Sequence, residues 1–212
     1  MRAVPYFSQW ETPELTLAVL AQGQAALRRD PAWRASGADS LEEYVTWANH
    51  VCGMACLKMV LAARGHLIPT LRLARECTTY GGYVADPSTG EIRGLIYAPF
   101  VRYVAETFGL QAEVVTDIGA ERLPAMLGMG DLLMASVHPD IRWPDRDPPS
   151  RGGHLVLVLG ATPEAITFHN PSGHDAASQA DVVLPVSAFA RFFAGRGIRI
   201  ARPNSADRPR HA

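Results

Sequence analysis

Apolar positions recur every three or four residues through the first half of the chain. Beyond about residue 110 they give way to short apolar runs, a change of period that predicts helices followed by strands. Val4-Pro5-Tyr6-Phe7-Ser8-Gln9 is a short β-rich piece. Thr12-Pro13-Glu14 then reads as an N-cap with proline at the first helical position. It opens a helix that should run to about Arg29, with Leu17, Leu20, Ala21 and Leu27 on its buried side, until Asp30-Pro31 ends it. Ser40-Leu41-Glu42-Glu43 fits a capping box for a second helix through Trp47. The strongest helical pattern runs from Cys52 to Arg64, where Met54, Leu57, Val60 and Leu61 share a face and Gly65 supplies the stop. Residues 68–77 and 94–109 predict two further helices. Residues 112–115, 132–137, 154–159 and 165–169 predict strands, and Pro185–Ala194 a last helix capped by Gly195. Helices first and antiparallel strands later describe an α+β domain rather than alternating βαβ units. Between two of the strands, residues 138–153 carry four prolines and two glycines and must form a long irregular loop, a natural cleft wall or lid.

Composition changes this picture little. With 212 residues, 48% of them apolar, the chain can bury one sizeable core. The expected unit is a single domain over residues 1–202, followed by a polar, flexible tail at 203–212. Twenty basic residues against 21 acidic leave a formal charge of −1, no basis for binding nucleic acid or an anionic membrane. No apolar run approaches the roughly 18–20 residues of a membrane span, and the N-terminus lacks the apolar stretch of a secretory signal. Three cysteines are too few for a disulfide framework, so a cytoplasmic location is expected, where a thiol stays reduced.

That thiol is where the chemistry concentrates. Cys52 opens the strongest helix, in Asn49-His50-Val51-Cys52-Gly53. The positive end of a helix favours thiolate, unpaired N–H groups there can receive an oxyanion, and Gly53 leaves room beside the sulfur. Cys56, one turn deeper, and Cys77 read as core. A zinc set of Cys52, Cys56, His66 and Cys77 lacks the paired CxxC knuckles of structural sites, so neither metal nor cofactor is expected. His154 follows Gly152-Gly153 at the mouth of a strand and suits a general base. Folding the next hairpin about Thr162 sets Asn170 opposite His154 on one face of the sheet, where its amide oxygen can fix the imidazole tautomer; His169 then points the other way. No G-x-S-x-G elbow is present.

Taken together, VPYFSQ, CGMACLKMVLAARG, GGHLVLVLG, FHNPSG and LPVSAFARFF stand in an order that resembles the papain-like cysteine peptidases. The closest resemblance is to the bacterial group related to double-glycine leader peptidases that process bacteriocins. It covers about residues 4–10 and 50–200. It implies the papain-like fold, with Cys52 as nucleophile, His154 as base, Asn170 as the orienting residue and Gln9 as an oxyanion donor. The implied reaction is cleavage of a peptide or isopeptide bond in a peptide or protein substrate through a thioester. Two features depart from the pattern: residues 10–48 separate Gln9 from Cys52 as a helical insertion, and position 170 is Asn where transporter-linked members carry Asp. An acyltransferase using the same thioester, and a catalytically silent binding module, are the other readings of these residues.

Overall fold

A computed structural model describes residues 3–86, 88–127 and 130–202. The predicted flexible tail at 203–212 lies outside the described residues.

The first half is helical. After a 3₁₀ turn at Pro13–Leu15 come α1 (Thr16–Gln22), α2 (Gln24–Leu27), α3 (Leu41–Trp47), α4 (Cys52–Ala63) and α5 (Thr70–Thr79). A two-stranded ribbon, β1 (Val84–Ala85) with β2 (Ile92–Arg93), leads into α6 (Tyr97–Phe108). The second half builds a six-stranded sheet from β3 (Ala112–Val115), β4 (Leu132–Val137), β5 (His154–Ala161), β6 (Ala165–His169), β7 (Val182–Pro185) and β8 (Phe193–Ile200). Short helices α7 (Leu123–Met126), α8 (Ala176–Gln179) and α9 (Val186–Phe192) fill its connections. The strand order is β3-β8-β4-β5-β6-β7, antiparallel throughout.

Strict alternation divides the sheet between two cores. Leu132 and Met134 of β4, Leu155 and Leu157 of β5, and Ile198 and Ile200 of β8 face the large helical layer. Leu133, Ala135, Val137, Val156, Val158 and Phe168 face the other way, against Phe189 and Phe192 of α9. α4 is apolar nearly all round, and every residue from Gly53 to Leu61 is buried. Even Lys58 is drawn in, its ammonium lying over the Phe7 ring and 3.7 Å from Glu11. A helix enclosed in this way holds its N-terminal tip rigidly against the sheet.

Three expectations need correcting. The helix foreseen over residues 13–29 is broken at Gly23 (φ 56°), and its buried side is Thr16, Val19, Ala26 and Leu27. Leu17 and Leu20 are 55% and 40% exposed. The opening 3₁₀ turn has three residues per turn, so the helical face behind it is rotated from the one an uninterrupted α-helix would bury. The last helix ends at Phe192, and Gly195 caps nothing. It lies at φ 68° inside β8, which runs between β3 and β4. Finally, the β5–β6 hairpin pairs Leu157 with His169 and Val158 with Phe168, then slips by one residue before pairing Gly160 with Thr167. Extending that register sets Asn170 opposite Val156, two positions from His154. An offset of two keeps both side chains on one face, as diagonal neighbours.

Candidate active site

Cys52 and His154 line one cavity of about 430 Å³, at the N-terminal tip of α4 and the first residue of β5. Cys52 is partly exposed, whereas Cys56 and Cys77 are buried. Cys56 Sγ lies 3.7 Å from the Leu155 carbonyl, and Cys77 sits in the helical core. Among the described residues no group of three or more His, Cys, Asp or Glu side chains stands close enough to hold a metal ion.

The imidazole is fixed from behind. His154 Nε2 lies 2.9 Å from Asn170 Oδ1 and 2.9 Å from Ser172 Oγ, and all three residues are buried. The backbone N–H of Ser172 donates to Asn170 Oδ1 at 3.1 Å. A backbone N–H can only face the amide oxygen, so it settles which end of Asn170 meets the ring. An amide oxygen in turn only accepts, which makes Nε2 the protonated nitrogen and leaves the lone pair on Nδ1. Ser172 is held by Arg142, whose Nε donates to its carbonyl at 2.6 Å and whose Nη2 donates to its hydroxyl at 2.7 Å. Arg142 is itself buried, in the 3₁₀ turn Pro139–Arg142 beside buried Ile141. This part of the 138–153 loop is therefore an anchor rather than a lid. Gly152 and Gly153, at φ 86° and 96°, bring the chain from that loop to His154, and Gly153 lines the cavity.

Electrostatics at the site run against one expectation. Burial pushes the Cys52 thiol up, outweighing the N–H groups of Leu155, Gly53 and Cys52 itself and the charge of Arg142, all of which favour thiolate. The helix tip helps, but desolvation wins. Burial, reinforced by the Arg142 charge, pushes His154 down to about 3 against the hydrogen bond it donates to Asn170. The pair therefore rests as neutral thiol and neutral imidazole.

Gln9 is buried between the two halves of the site. Its backbone N–H donates to the Pro171 carbonyl at 2.8 Å and its side-chain Nε2 donates to the Ala48 carbonyl at 3.2 Å. It thus ties the loop of Asn170 to the turn preceding α4, one amide hydrogen remaining for another acceptor. Gln9 is not among the residues lining the cavity. His169 faces away from the site, with both ring nitrogens on backbone: Nε2 to the Val4 carbonyl at 2.9 Å and Nδ1 to the Asp181 N–H at 3.0 Å. Gly53 is small for a different reason than the one expected. A Cβ there would come within 2.8 Å of Leu95 Cδ2 and 3.1 Å of Leu155 Cδ1, so the space beside it belongs to the cavity wall.

Sequence reasoning missed Ser172, Arg142, Ser136 and Arg196. The one local signal was Arg142 set between Ile141 and Trp143, a cation among large apolar residues.

No protein-family model matches the chain, and no curated protein does. Among solved structures, the chain is similar to a C39-like peptidase from Bacillus anthracis, with a TM-score of 0.52 and 15% identity over 73% of this chain and 90% of that one. The likeness shows the fold. It is the papain-like fold of the C39 peptidases. The peptidase domain of Streptococcus ComA, a bifunctional ABC transporter of a quorum-sensing pathway, also matches, at a TM-score of 0.49 and 15% identity over 73% of this chain and 93% of that one.

Proposed function

We propose that the protein is a cysteine peptidase or amidase in which Cys52, His154 and Asn170 form the catalytic triad. The observation that carries this reading is the imidazole held at 2.9 Å by an amide oxygen whose orientation a backbone N–H dictates, in the cavity that also holds a helix-tip thiol. His154 Nδ1 takes the Cys52 proton as the sulfur attacks a substrate amide carbon. The resulting oxyanion receives the Cys52 backbone N–H. As the tetrahedral species collapses, the imidazolium returns its proton to the leaving nitrogen and the C–N bond breaks, leaving a thioester on Cys52. A water deprotonated by His154 then attacks the thioester, releasing the acid and regenerating the thiol. The substrate is a peptide or protein chain.

The test is digestion of a complex peptide mixture, with new termini read by mass spectrometry. The wild-type protein should generate new termini, and Cys52→Ala should lower their yield by 10³-fold or more. Cleavage that survives Cys52→Ala overturns the assignment. So does a wild-type protein that generates no new termini from the mixture.

A further inference from the structure

The wall of the cavity beyond the triad carries an unused cation. Arg196, on β8, lines the cavity with Cys52 and His154, is exposed, and has no hydrogen bond, ion pair or aromatic contact among the described residues. Arg142, the buried arginine behind the imidazole, is by contrast fully engaged on Ser172. Ser136, on β4, also lines the cavity. It is buried, and its hydroxyl has no hydrogen bond among the described residues.

The two groups converge on one point. A Cβ placed on Gly152 would sit 3.2 Å from Ser136 Oγ and 3.3 Å from Arg196 Nη2. The hydroxyl and one guanidinium nitrogen therefore stand within about 6.5 Å of each other on the cavity wall beside Gly152, with Ala194 next to them. A guanidinium fork and a hydroxyl donor side by side on one cavity wall match one ligand chemistry above others, a carboxylate. We infer that Arg196 and Ser136 bind a carboxylate of the substrate close to the scissile bond, so that the preferred substrates carry either an acidic side chain or a free chain end there. This rests on the nucleophile assigned to Cys52, because both groups line that residue's cavity.

The test compares two alkylating agents that differ only in charge. In each, the Cys52 sulfur attacks the CH₂ carbon, a C–S bond forms and iodide leaves. Iodoacetate offers a carboxylate to the wall; iodoacetamide offers a neutral amide. The iodoacetate-to-iodoacetamide rate ratio at Cys52, followed by peptide mapping of the full chain, should exceed that of glutathione by about fivefold or more. Fivefold is what one unit charge at contact distance contributes even in bulk water. Arg196→Gln should bring the ratio down to the glutathione value, and Arg196→Lys should retain most of it. An exposed arginine tolerates both changes without loss of fold. Equal ratios in wild type and Arg196→Gln overturn the inference. The iodoacetamide rate alone reports on the nucleophile, so a failure of the proposed function is read separately from a failure of the charge preference.

Protection of Cys52 from iodoacetamide then distinguishes the two sources of carboxylate. Protection by acetyl-Ala-Glu-amide over acetyl-Ala-Gln-amide points to an acidic side chain, and protection by acetyl-Ala-Ala with a free acid points to a chain end. If neither protects better than the neutral peptide, the inference falls.

Discussion

The burial of a neutral imidazole at position 154 has a measurable thermodynamic consequence. In the folded protein, burial and the nearby Arg142 charge hold His154 at about 3, against an ordinary value of 6.5. Folding therefore excludes a proton that the unfolded chain binds throughout the interval between those values. In that window the unfolded state carries more protons, so stability rises with pH. The contribution is complete above about 6.5 and is lost as the pH falls towards 3. Its full span is about 5 kcal/mol, at 1.36 kcal/mol per unit, and about 3 kcal/mol of it falls between about pH 7.5 and about pH 4. Carboxylates titrate over part of the same range, so the quantity to measure is a difference between two proteins. Urea unfolding of wild type and His154→Gln at both pH values gives two stability gaps. The glutamine variant should gain on the wild type by about 3 kcal/mol on acidification, whatever constant cost the substitution carries. A gap that stays fixed within about 0.5 kcal/mol would mean that His154 takes up protons in the folded state, and the electrostatic account of the site would fail.

Two further substitutions probe the walls and the field of the cavity. Gly53→Ala forces a methyl group against Leu95 and Leu155; unfolding should show a loss of about 1–3 kcal/mol, and displacement of Leu95 should lower peptide turnover as well. Arg142→Leu removes a cation that favours the Cys52 thiolate and disfavours the His154 imidazolium, so both pKa values should rise. An iodoacetamide pH profile that moves towards acid instead would contradict the placement of that charge.

How much of this was legible in the sequence depends on how local each signal is. α4 and strands β4, β5 and β6 carry dense, regular apolar patterns, and their predicted spans agree with the observed ones to within two residues. β8 was missed because Phe193-Ala194-Gly195-Arg196-Gly197 breaks the pattern with two glycines and an exposed cation. Those glycines serve the neighbouring strands: a Cβ on Gly197 would lie 2.4 Å from the Met134 carbonyl oxygen. That contact is defined only once β4 and β8 are paired. The proximity of His154 and Asn170 was foreseen from a register that is wrong by two. The forecast held because strand faces alternate with a period of two, and the bulge that shifts the outer part of the hairpin leaves the inner part on an even offset. Arg142 and Ser172 stand 30 positions apart and meet through an irregular loop. No periodicity connects them, and the same is true of Ser136 and Arg196.

The arrangement around the triad candidates also explains why an amide can stand at position 170. Proton transfer from Cys52 to His154 creates a thiolate and an imidazolium in a buried site. Fixed groups wait on both sides: three backbone N–H groups and Arg142 for the sulfur, the Asn170 oxygen for the ring. Arg142 favours one product charge and opposes the other, and this bias, added to burial, keeps the resting pair neutral. A carboxylate at 170 would reverse the bias by stabilising the imidazolium and drawing on the buried guanidinium two hydrogen bonds away. With Asn there, the orientation of the ring and the field on the sulfur are supplied by separate residues. Asn170 sets the tautomer, Ser172 holds Asn170, and Arg142 holds Ser172 while its charge acts on the sulfur. In such a site charge separation is confined to the interval in which substrate is present, and a thiol that rests protonated is protected from adventitious electrophiles between turnovers.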